Sequence, residues 1–141
     1  MEAWQYLQPV MDTLVPKVAK HGLGSLSPSE QVVYLVWSYS GAVNNGGHAS
    51  FFYNSYGQFA AETVSAFREL GAPEYAQVLN RAIEQFPHSA VPHDIDKRNT
   101  VFNDLPSCAH QVMEKCDGQF YALGDERLFA QLLSFWRGRA A

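Results

Sequence analysis

Residues 27–42, with the sequence SPSEQVVYLVWSYSGA, decide the fold of this chain. Ser27 is a typical N-cap residue, Pro28 suits the first helical position, and Glu30 completes a capping box, so a helix begins here. The residues that follow are apolar on nearly all sides, which is typical of a helix surrounded by other helices. Their β-branched side chains also suit a strand, but the capping signature and the length of the run to Ala42 favour a helix.

The N-terminal segment, residues 1–22, has a helical periodicity that two prolines interrupt. Its apolar residues recur at intervals of three and four, and they are Trp4, Leu7, Met11, Leu14 and Val18. Pro9 and Pro16 cannot donate the backbone hydrogen bond that a helix interior needs. The sequence therefore predicts a kinked or split helical segment at this end of the chain.

Further helices are predicted beyond the central one, which we expect to end at the Asn-Gly corner. Apolar periodicity indicates a short helix over residues 49–55 and longer helices over residues 58–70, 73–86 and 106–117. Gly71 and Gly118 are predicted C-terminal stops, and Asp125 is the predicted cap of a last helix. The segment from Pro87 to Asn99 has no periodicity and is predicted to be a long surface loop.

These elements together predict an all-α fold. A chain of 141 residues can bury roughly two thirds of its unfolded surface in one core, so no disulfide or metal is needed for stability. We expect a single helical domain over residues 1–141, a compact bundle of about six to eight helices around the central apolar helix.

Charge and cysteine content exclude several classes of function. Ten Lys and Arg stand against 14 Asp and Glu, a net charge of −4 without a basic stripe, so direct nucleic-acid binding is not predicted. The longest apolar run, Val32–Trp37, is too short to span a membrane. Cys108 and Cys116 lie about 12 Å apart along one predicted helix, which is too far for a disulfide. These features predict a cytoplasmic protein, most simply a bacterial one.

A candidate site lies where the central helix ends, at Asn44-Asn45-Gly46-Gly47-His48 and the aromatic residues after it. Asn and Gly favour tight turns, and we expect one of the two glycines to have a positive φ. Two interpretations stay open: a turn whose side chains only cap neighbouring helices, or a recess in which polar groups converge between aromatic walls. The candidate binding residues are Asn44, Asn45, Gly46, Gly47, His48, Phe52, Asn54 and Tyr56.

A weaker group of candidates lies in the predicted loop. His88, His93, Asp94 and Asp96 are residue types that bind metals, but their spacing matches no established zinc or calcium motif. No metal site and no cofactor are therefore predicted. The sequence also lacks the familiar nucleophile-elbow, zinc-protease and nucleotide-loop motifs, so it assigns no catalytic residue.

The Asn-Gly corner resembles the corner motif of a bacterial family of unknown function that contains the DNA-mimic protein DMP. The matching residues are Asn45, Gly46, Gly47, Phe52 and Asn54. His48 stands where phenylalanine is usual and Ser50 where glutamine is usual. The resemblance extends over about residues 27–136. It implies an all-helical fold and, for one member, binding to a transcription factor in place of DNA.

Two hypotheses about function follow. The first is a regulatory protein-interaction module, which binds another protein through the aromatic corner and the loop from Pro87 to Asn99; association with a second copy stays open. The second is a small-molecule-binding protein, or an uncharacterised enzyme, that uses the Asn-Gly-Gly-His recess. A net charge of −4 is small for imitating rows of phosphates, so charge alone does not favour DNA mimicry.

Overall fold

The computed structural model describes residues 1–139, which form seven α-helices and no β-strand. The helices are α1 Ala3–His21, α2 Pro28–Tyr53, α3 Ala60–Leu70, α4 Pro73–Ile83, α5 Ile95–Asp104, α6 Ser107–Leu123 and α7 Glu126–Gly138. Short 3-10 segments lie at Leu23–Ser25, Ser55–Phe59 and Pro87–Ser89. The predicted all-α fold is confirmed.

The central helix of the fold is α2, and it begins as predicted. The Ser27 hydroxyl accepts a hydrogen bond from the Glu30 N–H at 3.2 Å, and the Glu30 carboxylate accepts one from the Ser27 N–H at 2.8 Å. This backbone hydrogen bond lowers the pKa of Glu30. The body of α2 contacts α1, α3, α5, α6 and α7, so its all-round apolar character is explained by neighbours on every side.

Aromatic rings from several helices form the middle of the core around Tyr39. Phe51, Phe67 and Phe120 meet its ring edge to face, with centroids 5.0, 5.5 and 5.5 Å away. All four side chains are fully buried or nearly so. Edge-to-face pairs of this kind add to the free energy gained from burial alone. The end of α2 that carries Phe51 therefore packs directly against the stretch of α2 that carries Tyr39.

The prediction that the N-terminal segment is split into two pieces is wrong. Helix α1 runs from Ala3 to His21 with Pro9 and Pro16 inside it. Its apolar face packs against α2 and α7, and Leu7, Met11 and Leu14 are buried there. Burial of this face outweighs the backbone hydrogen bonds that the two prolines cannot make.

Three boundaries in the second half of the chain differ from the prediction. Helix α4 ends at Ile83 and not at residue 86. Helix α6 does not stop at Gly118 but continues to Leu123, and Gly124, with φ 80°, follows it. The predicted loop is shorter than expected because α5 begins at Ile95, after an Asp94 N-cap whose carboxylate accepts from the Lys97 N–H at 2.9 Å. Helix α5 has two buried residues, Arg98 and Phe102, and these are too few to give a visible apolar periodicity in the sequence.

The two cysteines do not pair, as the spacing predicted. Cys108 is exposed and Cys116 is buried in the core, and both are free thiols. Within residues 1–139, no helix is both long enough and apolar enough to cross a membrane.

Candidate functional site

The Asn-Gly corner bends α2 sharply within its length. Gly46 has φ −167° and ψ 28°, and Gly47 has φ 73° and ψ −171°, so neither residue is helical. The predicted positive φ is thus found at Gly47. The bend removes intrahelical donors, and the Tyr121 hydroxyl donates instead to the Val43 carbonyl at 2.8 Å.

Directly after the bend, His48 is held by a hydrogen-bond chain in which Tyr39 and His48 are buried. Its Nε2 lies 2.7 Å from the Tyr39 hydroxyl, and its Nδ1 lies 2.5 Å from Oδ1 of Asp117. The same Asp117 oxygen accepts the His48 backbone N–H at 2.7 Å. An ionised carboxylate can only accept, so in the neutral imidazole Nδ1 carries the proton and Nε2 accepts from Tyr39. In this arrangement, no buried side-chain polar atom of Tyr39, His48 or Asp117 lacks a hydrogen-bond partner.

Gly47 is needed for this chain of hydrogen bonds as well as for the bend. A Cβ atom on Gly47 would lie 2.4 Å from Oδ2 of Asp117. The α2 backbone and the α6 carboxylate therefore approach more closely than any residue with a side chain allows.

The Tyr39, His48 and Asp117 chain has the residue types of a proton relay but the position of a structural element. Tyr39 and His48 are both 0 % exposed, and neither lines the surface groove described below. The Asp117 side chain, at the other end, is 24 % exposed, so solvent reaches the hydrogen-bond chain from that end. The three residues join the corner of α2 to α6, and the His48 ring itself is closed off from solvent.

Two other predicted site residues also serve the fold. The Asn44 carboxamide donates to the Asp125 carboxylate, which also accepts from the Ser40 hydroxyl at 3.0 Å. Asp125 was predicted to cap α7, but its side chain makes no capping bond and binds α2 instead. Phe52 is fully buried in the core.

The remaining predicted residues lie on an open surface groove of about 680 Å³, which we call the α1–α2 groove. Helix α1 contributes Gln8, Met11, Asp12, Val15 and Pro16. Helix α2 contributes Trp37, Ser38, Gly41, Ala42 and Asn45, and beyond the bend Ser50, Asn54 and Tyr56 complete the lining.

The structure therefore brings some of the predicted site residues together and separates others. Asn45, Asn54 and Tyr56 share the α1–α2 groove, whereas Gly47 and His48 face the interior on the other side of the bend. The Asn54 carboxamide also donates to the Ser50 carbonyl at 2.6 Å, which fixes the end of the groove.

Arg98, which the sequence analysis did not single out, is fully buried beneath the end of α2. Its Nε donates to the Phe52 carbonyl at 2.7 Å and its Nη2 to the Asn54 carbonyl at 2.7 Å. Its Nη1 donates to the carbonyls of Pro92 and His93 at 3.0 and 2.9 Å. The guanidinium thus binds the carbonyl end of α2 to the segment before α5.

No carboxylate pairs with this guanidinium within the described residues. Burial lowers the pKa of Arg98, and the nearby negative charge of Asp94 opposes that shift. A lone arginine in a predicted loop carried no signal of this role, because its partners are main-chain carbonyls.

The weak metal candidates do not form a site. His88, His93, Asp94 and Asp96 are all exposed, and the Asp94 carboxylate is used as the N-cap of α5. Over residues 1–139, no three His, Cys, Asp or Glu side chains are grouped so that they could hold a metal ion.

Comparison with known proteins gives a family for the chain. A family model described as DMP19-like protein matches residues 24–139. The chain belongs to the DMP19-like family. The comparison with curated proteins and the comparison with solved structures gave no match. The resemblance that the corner motif indicated is thereby confirmed at the level of the family.

The DMP19-like match covers some of the features described above and leaves one helix out. The bend, the His48 hydrogen-bond chain and Arg98 all lie within the matched residues. Helix α1, Ala3–His21, lies outside them. One wall of the α1–α2 groove is therefore built by a helix that the family model does not cover.

The buried Tyr39 hydroxyl predicts a loss of stability in alkaline solution. Burial, with smaller effects of Cys116 and Asp117, raises the pKa of Tyr39 well above its ordinary value of 10.0. Above about pH 10 the unfolded chain releases this proton while the folded chain retains it. The free energy of unfolding should then fall by about 1.4 kcal/mol per pH unit on account of Tyr39.

Urea unfolding of the parent and of Tyr39→Phe between pH 9 and pH 11 measures this contribution. We expect the parent to lose stability more steeply than Tyr39→Phe, while Tyr6→Phe, at an exposed tyrosine, keeps the parent slope. Equal slopes for the parent and Tyr39→Phe would contradict the assignment.

Proposed function

We propose that this DMP19-like protein is a protein-interaction module that binds a segment of another protein in the α1–α2 groove. The observation that carries the proposal is the groove itself, which runs between one face of α1 and one face of α2. Its α2 residues extend from Trp37 to Asn45 and its α1 residues from Gln8 to Pro16. Along each helix, the first and the last of these residues are about 12 Å apart, at a rise of about 1.5 Å per residue. This length is enough for two turns of a docked helix or a short extended segment.

The lining has the mixture of groups that protein interfaces use. Trp37 and Tyr56 offer partly exposed aromatic surface, and aromatic residues are enriched at interfaces. Asn45 and Asn54 add carboxamides that can donate to and accept from a partner backbone. Gly41 has no side chain and Ala42 a small one, so the middle of the groove is not filled between these groups.

This proposal revises the surface expected from the sequence. The aromatic corner contributes Tyr56, while Phe51 and Phe52 belong to the core. Of the predicted loop from Pro87 to Asn99, only the part before α5 remains available to contact a partner. The free thiols support a bacterial cytoplasm as the setting of the interaction. The family relationship supports a protein partner, and a regulator of transcription is the partner class that we would examine first.

A small molecule is the second candidate for the same groove. A volume of about 680 Å³ lies within the range of small-molecule sites, and Asn45 with Asn54 could orient such a ligand. A thermal-shift screen of metabolites separates the two candidates. Stabilisation by one metabolite class, absent when a groove residue is changed, would favour the small-molecule function over the interaction module.

A variant that fills the groove tests the proposal. Gly41 lies in the groove, and a Cβ there would meet nothing within 4 Å, so Gly41→Trp should fold normally and place an indole in the binding surface. Gly118→Trp is the matched control, because Gly118 is also an exposed glycine inside a helix with open space around it but is not among the groove residues. We expect Gly41→Trp to reduce capture of the partner from a lysate of its own cells at least about tenfold.

Quantitative mass spectrometry of the captured proteins gives the comparison. The partner should be retained by the parent and by Gly118→Trp and lost with Gly41→Trp, and all three proteins should melt at similar temperatures. Equal capture by both variants would place the interaction surface outside the α1–α2 groove.

A further inference from the structure

We infer that the α1–α2 groove selects a protein segment that carries one Lys or Arg beside an apolar side chain. The inference rests on the proposed function, because it names the kind of partner for the same groove. It begins with the charge of the lining. Asp12 is the charged side chain in the groove, and none of the lining residues is Lys, Arg or His.

The Asp12 carboxylate has acceptor positions to spare. One oxygen accepts from the Gln8 carboxamide at 3.1 Å, and no ion pair with Asp12 occurs in the part of the chain that the structure describes. An ionised carboxylate offers about four acceptor positions, so most positions on this exposed side chain are free for a partner. A Lys ammonium or an Arg guanidinium, which donates and does not accept, complements a carboxylate with free acceptor positions.

The neighbouring side chains suit the rest of such a segment. Val15, which is exposed, lies one helical turn from Asp12 on the α1 wall, and Trp37 lines the groove from α2. The methylene stem of a Lys or Arg can pack along this apolar surface while its charged end reaches Asp12, and an adjacent apolar residue can contact Trp37. The contacts with Asp12 and Val15 depend on α1, the wall outside the family match.

Selection from a displayed library of random peptides of about twelve residues tests the inference on the full chain. Immobilised protein should select peptides enriched in Lys or Arg next to aromatic or aliphatic residues. For a synthetic copy of a selected peptide, Asp12→Asn should weaken binding about three- to fivefold and Asp12→Lys about tenfold or more. Added salt should weaken binding to the parent and leave binding to Asp12→Asn nearly unchanged.

Asp104→Asn is the matched control, since Asp104 is an exposed carboxylate outside the groove, and it should leave affinity unchanged. If Gly41→Trp abolishes peptide binding while Asp12→Asn and Asp12→Lys do not weaken it, the inference fails and the proposed groove stands. If no selected peptide is sensitive to Gly41→Trp, the proposed function fails together with the inference.

Discussion

Replacing Arg98 by Met is expected to lower the free energy of unfolding by about 3–5 kcal/mol. The side chain is fully buried, and its guanidinium donates to the carbonyls of Phe52, Pro92, His93 and Asn54. Met can fill much of the volume but donates no hydrogen bond. Four buried or half-buried carbonyls then lose their donor, and the end of α2 loses its attachment to α5.

Urea unfolding followed by circular dichroism measures this loss. Arg127→Met is the control, because Arg127 is exposed and its ion pair with Glu74, at 3.2 Å, lies on the surface. We expect Arg127→Met to change the free energy of unfolding by less than about 1 kcal/mol. Arg98→Lys should fall between the two, since one ammonium cannot reach all the carbonyls that the planar guanidinium joins. An Arg98→Met protein as stable as Arg127→Met would refute the structural role of Arg98.

Gly47→Val should destabilise the fold by a similar amount, about 3–5 kcal/mol. Two effects add. The left-handed φ of 73° costs a β-branched residue about 1–2 kcal/mol, and this part follows from the sequence once the corner is recognised. The second effect comes from the structure: a Cβ at this position lies 2.4 Å from Oδ2 of Asp117, so the carboxylate has to move away from His48. His48 then keeps two buried donors without an acceptor.

Gly124→Val separates the two effects. Gly124 has φ 80°, but a Cβ there would meet nothing within 4 Å, so this variant carries the backbone strain without the clash. We expect Gly47→Val to be less stable than Gly124→Val by about 2–3 kcal/mol. In a double-mutant cycle, Asp117→Ala should remove most of this difference, because the atoms that clash are gone. Equal losses at the two glycines would show that Asp117 does not constrain the corner.

The features that were predicted correctly are signals between residues close in the chain. Ser27 and Glu30 cap a helix that begins beside them, and Gly47 lies in a short turn sequence that favours a positive φ. The errors have the same origin. Gly118 and Pro16 have the local chemistry of helix breakers, yet both lie inside helices, because packing of the apolar faces of α6 and α1 outweighs local preference.

The candidate site shows the same division. The sequence by itself determined that residues 44–56 form a bend rich in polar and aromatic groups, since Asn, Gly and aromatic residues carry that information locally. Only the tertiary structure decided that His48 faces inward, because its partner Asp117 lies 69 residues away on α6. It also placed Arg98 under α2 and set α1 beside α2 to form the groove. Such contacts depend on the relative placement of whole helices, and the spacing of residues along one chain does not encode that placement in any local pattern.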